Sequence, residues 1–571
     1  MYKQYLKKET PMKKYFLLLS LCTYSLLSFG QIKENKAIDS LFIKWDQQNV
    51  PGGAIGIIKD GKLIYAKEYG IADLEHNIKI TPSSVFNICA ESQQFVAFSL
   101  LLLEEQGKLN LDDTVQKHLP DFPEYDAPLT IRHFIHHTSG IRHYRPLVEL
   151  KGRSLLDNVE ADEVYALIKH QKALNFLPGK KFAWSNSGYF LLAKIIEKVS
   201  GQSLREFTKE HIFDPLGMKN TLFYDDNTDL IKNKVFSYNK KSAEDGFDNV
   251  MNRTNLIGAG GIYSTIEDLF LWDQNFYNNK LGKEDQKIIT NMYKEGRLNN
   301  GESSGHAYGL ISNNYKGLKT FENGGSFAGY QSEILRFPDE NFSVIILANR
   351  GDADLWVLAH HVADVLLKDK FIDLSKNKGN STDNKTGNLD SSNVKEKFSL
   401  KQITGNYERE PGSLFKFSIK NDFLQLVGWW SNEPLMLINT VGNTYKEANK
   451  PSRQFIFSEL KNHLTQKLTV SGPSFKLTSK RKEKFDFSNL NLADYTGDFY
   501  SEEIDATHVL FLDDGKLNVK IANNEALALA PYNIDTFYCD GYMVHFTRTN
   551  GAISGFDLKY GWITNLKFKK K

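Results

Sequence analysis

Cys89 and Ser92 are the first side chains in this chain whose type and setting could do chemistry. They lie where an extended segment ending near Ile88 gives way to a predicted helix over 91–106, with Gly107 as its stop. Helix N-termini lower thiol pKa values, so Cys89 at such a place is a candidate nucleophile, although no base of known position accompanies it. A second group is the histidine run His133, His136, His137 and His143. His133 and His137 have the i, i+4 spacing of a metal pair. No carboxylate sits between them as in H-E-x-x-H and no third ligand is evident, so neither metal nor cofactor is expected. A third is Trp184-Ser185-Asn186, where Asn186 is read as the cap of a helix over 187–200 ended by Gly201.

The segment from Phe86 to Phe95 resembles the serine β-lactamase and penicillin-binding-protein family at the place where that family carries Ser-x-x-Lys. Aligned on Phe86, Ile88, Gln94 and Phe95, the family's serine falls on Ala90 and its lysine on Gln93. That pair puts a hydroxyl and an amine one turn apart on one helical face. The amine must sit well below its reference pKa of about 10.4 to draw a proton from the serine. Ala90 has no nucleophile and Gln93 no basic nitrogen; Ser92 is turned to another face of the helix.

The resemblance continues in order. Within 51–70, the apolar runs Ala54 to Ile58 and Leu63 to Tyr65 about Asp60-Gly61 form a predicted hairpin, similar to the one that opens the family's central sheet. The stretch from Leu129 to Gly140 matches a further family segment. Trp184 stands where Tyr-x-Asn has its phenol, and an indole donates a hydrogen bond but cannot act as base; Asn186 is kept. Asn323 replaces the cation of the edge-strand signature, while Gly324 and Gly325 survive ahead of Ser326. A hairpin around 338–341 and a helix over 352–367 complete the unit. The resemblance implies an α/β, β-lactamase-like fold, an antiparallel sheet flanked by helices with a helical subdomain. It also implies a cleft in which the N–H groups of Ala90 and Ser326 map onto the oxyanion hole.

Around this unit the chain divides into an expected signal peptide (1–30), the β-lactamase-like domain (31–370), a polar linker (371–398) and two β-rich, lipocalin-like repeats (399–484 and 485–571). The signal is read from Lys13-Lys14, the apolar run that follows, and Ser28 and Gly30 before Gln31, so a periplasmic or extracellular location without a membrane anchor is expected. The repeats are marked by Leu400 to Tyr407 recurring as 492–499, and two small all-β barrels or sandwiches are expected. Trp429, Trp430, Tyr538, Tyr542 and Trp562 are read as core or binding-face aromatics, and 567–571 as a solvated lysine-rich end. With 71 basic and 69 acidic residues, nothing points to nucleic acid as a partner. Cys89 and Cys539, the cysteines beyond the leader, make no disulfide framework.

Four replaced catalytic positions imply a pseudoenzyme that binds a peptide, amide or glycan ligand, small or cell-wall-derived, in a retained cleft. Its expected contacts are Ala90, Gln93, Trp184, Asn186, Asn323, Gly325 and Ser326. Two alternatives stand beside this reading. One is a β-lactamase, D-amino peptidase or esterase with a displaced nucleophile; the other is a scaffold whose working part is the β-repeats.

Overall fold

The computed structural model describes residues 35–241, 245–371 and 397–571, less 410–413, 429–433, 448–452, 472–475, 483–484, 489 and 540. The expected leader, most of the linker and Trp429-Trp430 lie outside these residues. Where the described chain resumes around the linker, Phe371 packs on the core of the first region and Phe398 on that of the first barrel.

The first region is built on a six-stranded antiparallel sheet. Its order is Ile311–Tyr315, Leu318–Phe327, Tyr330–Phe337, Phe342–Ala348, Gly53–Lys59 and Lys62–Tyr69. Sequence-distant strands meet in its middle, with Gly53 opposite Ala348 and Lys59 opposite Phe342. Phe342–Ala348 is buried at every position and Gly53–Lys59 at all but the last. A strand covered on both faces reads as a continuous apolar run, as both do. Lys36–Leu41 and Leu355–Leu366 cover one face, where Ile55, Ile57, Leu335 and Val344 point; helices Ser92–Glu105 and Ile266–Asn275 lie on the other. Side-chain caps start two of these helices: Asp354 accepts from Val357 N–H, and Thr265 from Asp268 N–H. Among the described residues no helix is long and apolar enough to cross a membrane.

The C-terminal half forms two closed eight-stranded antiparallel barrels, Gly405 to Arg481 and Gly497 to Lys570. Each closes first strand on last, through Tyr407 opposite Arg481 and Phe499 opposite Lys570. The repeat shows in the backbone as well as in the motif. Gly405 and Gly497 have φ of 135° and 133°, and the side chains of Arg481 and Lys570 lie where a Cβ would be. Lys567, Lys569 and Lys570 lie on the closing strand, with Lys567 and Lys569 exposed to solvent. Tyr542 is fully buried in the second barrel, its hydroxyl on His508, which makes it a core aromatic.

The second barrel shares one continuous apolar core with the α/β region; the first has its own. The junction is polar at its centre. Arg142, fully buried, donates to the Glu503 carboxylate and, over 2.8 Å, to Gln171 Oε1, and Gln171 returns a bond to Glu503 O at 3.1 Å. His508 Nε2 donates to Leu150 O at 2.8 Å, which leaves Nδ1 to accept from the Tyr542 hydroxyl. Removing one partner of a buried pair leaves an uncompensated charge, at a cost of about 3–5 kcal/mol. Glu503→Ala is therefore expected to lower the urea midpoint and expose the Trp562 side of the second barrel to proteolysis; an unchanged midpoint would show that Arg142 finds another partner.

Candidate functional site

The site starts from a short strand, Phe86–Asn87, paired with Ile262–Ser264. A 3-10 turn, Cys89–Glu91, follows, and the helix proper runs Ser92–Glu105. The expected helix start at 91 is thus preceded by one tighter turn. Ser92 is fully buried; its hydroxyl donates to Cys89 O at 2.7 Å and accepts from Ile262 N–H at 3.1 Å, which fixes it as a structural staple.

Two neighbouring strands of the sheet, Leu318–Phe327 and Tyr330–Phe337, are tied to this turn. Ser332 Oγ donates to Ile88 O at 2.7 Å, Asn323 Nδ2 to Ala90 O at 3.1 Å, and Ile334 N–H to Glu91 Oε1 at 2.9 Å. At Gly325 a Cβ would lie 2.4 Å from Cys89 Cβ and 2.6 Å from Ala90 N, so no larger residue lets the strand come this close. Glu91 is fully buried, and that burial holds its carboxyl well above the usual range, with Gln94 donating to its second oxygen.

Beside this turn opens a cavity of about 310 Å³. Of the residues read as ligand contacts, Ala90, Trp184, Asn186 and Ser326 are in its wall. Gln93, Asn323 and Gly325 are not; they stand behind it. The reason is commitment to protein partners: Gln93 Nε2 donates to Ala259 O at 3.4 Å, Gln93 Oε1 meets His137 Nε2 at 3.2 Å, and Asn323 is 1% exposed. Asn186 is also corrected. It is the first helical residue, not the cap, and its Oδ1 accepts from Trp184 Nε1 at 2.8 Å.

His137 organises the back of the site. Its Nδ1 accepts from Ser185 N–H at 3.2 Å, so its proton is on Nε2, directed at Gln93. Trp184 stacks on the ring at 4.2 Å and 23°, and His306 meets it edge-on at 4.7 Å. Burial pushes His137 well below the ordinary histidine range, His306 and His143 to about 3 and His136 to about 4. His133 turns to Thr130 and His136 to His306 O, so the histidine run does not converge on a metal. The three-ligand grouping found among the described residues, Asp73, Glu75 and His76, lies outside the cavity wall.

The wall also carries residues that the sequence reading missed, among them Asn87, Tyr144, Arg145, Asn252 and Thr254. Only the histidine run hinted at His143, Tyr144 and Arg145; nothing in the local sequence marks Asn252 or Thr254. The reading of Cys89 as an activated thiol is reversed. Its Sγ is directed at Tyr330 O, 3.7 Å away, and burial pushes the thiol up to about 12. The one histidine in the wall, His143, accepts Arg145 N–H on Nδ1 and is too weak a base near neutral pH.

The histidines give a signed pH dependence. In the unfolded chain His306 takes up a proton near 6.5, in the folded chain only near 3, so stability present above pH 6.5 is lost as pH falls through this window. Buried Glu91 and Glu333, both held well above 4.5, work in the opposite sense, so a single-residue difference is needed to read the effect. His306→Phe keeps the ring packing and removes the titration. It is expected to shrink the loss of unfolding free energy between pH 7 and 5 by about 2 kcal/mol, read from urea midpoints at both pH values. An identical pH slope in the variant would contradict this.

Comparison with known proteins agrees with the geometry. The Beta-lactamase family profile matches residues 38–367. Penicillin-binding protein 4* of Bacillus subtilis is 30% identical over 337 residues, 56% of this chain and 73% of that protein. A D-aminopeptidase of Gluconobacter oxydans is 25% identical over 303 residues, and the chain spans a little over half, 56%, of its length. In fold, the octameric penicillin-binding protein homologue from Pyrococcus abyssi superposes with a TM-score of 0.55 at 24% identity, covering 77% of this chain and 99% of that one. That coverage exceeds the family-matched residues, so the likeness of fold extends into the barrels. Because the family profile matches more than half of its length, the chain belongs to the Beta-lactamase family.

Proposed function

We propose that this protein is an exported member of its family that binds, and does not cleave, a short peptide, amide or glycan fragment in the cleft beside Ala90. One observation carries the reading: the wall position that holds the family's nucleophile presents a methyl group, Ala90. The other elements of acyl transfer are missing with it. Gln93 is a buried neutral amide bonded to His137, Trp184 offers an indole donor already given to Asn186, and Asn323 is turned to Ala90 O. Such groups act as a unit, and the loss of any one costs orders of magnitude in rate. Cys89 and Ser92 do not replace them, one a high-pKa buried thiol and the other a doubly bonded structural hydroxyl.

What is left suits binding. The wall mixes neutral hydrogen-bonding groups, Asn87, Asn186, Asn252, Thr254 and Ser326, with the flat face of Trp184 and one exposed cation, Arg145. The main chain at Ala90 and Ser326 can hold a carbonyl or carboxylate in the manner of an oxyanion hole. The names of the relatives, a penicillin-binding protein and D-aminopeptidases, favour a peptide with a D-residue as the first ligand to try.

Titration of the full chain with acetyl-Lys-D-Ala-D-Ala in a calorimeter is expected to give saturable heat, and Trp184→Ala to weaken binding about tenfold, as loss of an aromatic contact worth about 0.5–1.5 kcal/mol allows. A fluorescent penicillin and a fluorophosphonate are expected to leave the protein unlabelled, and Ala90→Ser alone to restore no labelling. No heat with this peptide or with cell-wall glycan fragments would remove the binding reading. A covalent adduct on any cleft side chain would replace it with an active hydrolase.

A further inference from the structure

A second cavity, about 880 Å³, lies between the two barrels, away from the Ala90 cleft. Lys401, Lys416, Lys461, Arg481 and Lys482 line it, and among the described residues no aspartate or glutamate is in its wall, Glu408 acting on Lys482 from outside it. The chain as a whole has a net charge of only +2, so this is a local concentration of positive charge. Two of the cations serve the fold. Arg481 donates to Thr404 O and Gln402 O, each at 2.8 Å, and to the Tyr407 hydroxyl at 2.7 Å, which secures barrel closure. Lys416 Nζ donates to Tyr538 Oη at 3.0 Å across the junction. Lys401 and Lys461 are exposed and have no ion-pair partner among the described residues.

The remaining wall is aromatic and amide. Leu414 of the first barrel packs against Tyr532 and Met543 of the second and forms the apolar floor. Tyr532 is 6% exposed, and its buried hydroxyl has no hydrogen-bond partner among the described residues. Lys482 lies over the Tyr532 ring, and burial lowers its ammonium to about 8, a cost that a bound anion would relieve. Phe485 and Phe487 pair at 5.1 Å, with Phe485 41% exposed. Asn406, Asn462 and Gln466 supply neutral donors and acceptors.

We infer that the inter-barrel cleft is a binding site for an anionic saccharide, a sugar ring carrying a carboxylate or a phosphate. The lysines meet the anion, the exposed aromatic ring takes the C–H face of the sugar, and the amides take its hydroxyls. An inorganic anion alone would leave the aromatic and amide walls unused. A nucleic acid calls for a basic stripe over the surface, and the charge here is confined to one cleft.

Calorimetry on the full chain tests this with trigalacturonate for the carboxylate form, N-acetylglucosamine 1-phosphate for the phosphate form, and chitotriose as the neutral control. At least one anionic sugar is expected to bind at least tenfold tighter than chitotriose, and to weaken on going from low salt to 0.5 M NaCl, a concentration at which screening lengths fall to roughly 4 Å. The double variant Lys401→Glu/Lys461→Glu is expected to lose at least tenfold in affinity with an unchanged thermal midpoint, whereas Trp184→Ala leaves binding intact. The inference is overturned if neither anionic sugar binds, if the double variant binds as the wild type does, or if inorganic phosphate or AMP binds as tightly as the better sugar.

Discussion

The close approach of two neighbouring strands, Leu318–Phe327 and Tyr330–Phe337, to the Cys89–Glu91 turn is the constraint on which the rest of the site depends. Three hydrogen bonds, from Ser332, Asn323 and Ile334, tie strands and turn together, and Gly325 removes the side chain that would hold them apart. The turn cannot relax into a longer α-helix without losing these bonds, and each bond lost in a buried place leaves an unsatisfied partner. This junction is independent of catalytic chemistry. It fixes Ala90 at the cavity wall as firmly as it would fix a serine.

The wall and the layer behind it are joined by a neutral group of side chains. His137, Gln93, Trp184 and Asn186 form a chain of hydrogen bonds and a stacked pair in which no member carries charge near neutral pH. Buried neutral amides and imidazoles satisfy one another at far lower desolvation cost than a lysine there would incur. The result is a rigid cleft with polar edges, a form suited to holding a ligand.

The two barrels repeat the same backbone and do different structural work. The second is fused to the α/β region by a shared core and the Arg142–Glu503 pair, next to the segment that sends His143, Tyr144 and Arg145 into the cavity wall. The first touches the second along a small apolar floor beneath a basic cleft, a more polar and open junction.

Much of this was legible in the residues themselves. The order of motifs, the Asp60-Gly61 hairpin and the residue types at Ala90, Gln93, Trp184 and Asn323 are local features, set by side-chain type and spacing a few residues apart. The tertiary structure decided what depends on distant partners. Gln93 and Asn323 carry the right groups for a ligand, yet partners 44 and 233 residues away claim them. Cys89 sits at a helix start, where a thiol pKa should fall, yet burial beneath these strands of the sheet raises it. Asn252 and Thr254 reach the cavity from a segment with no motif, and Arg142 finds Glu503 across 361 residues. Local sequence specifies which group is present and how its own turn is formed; desolvation and partner choice are set only when remote segments pack around it.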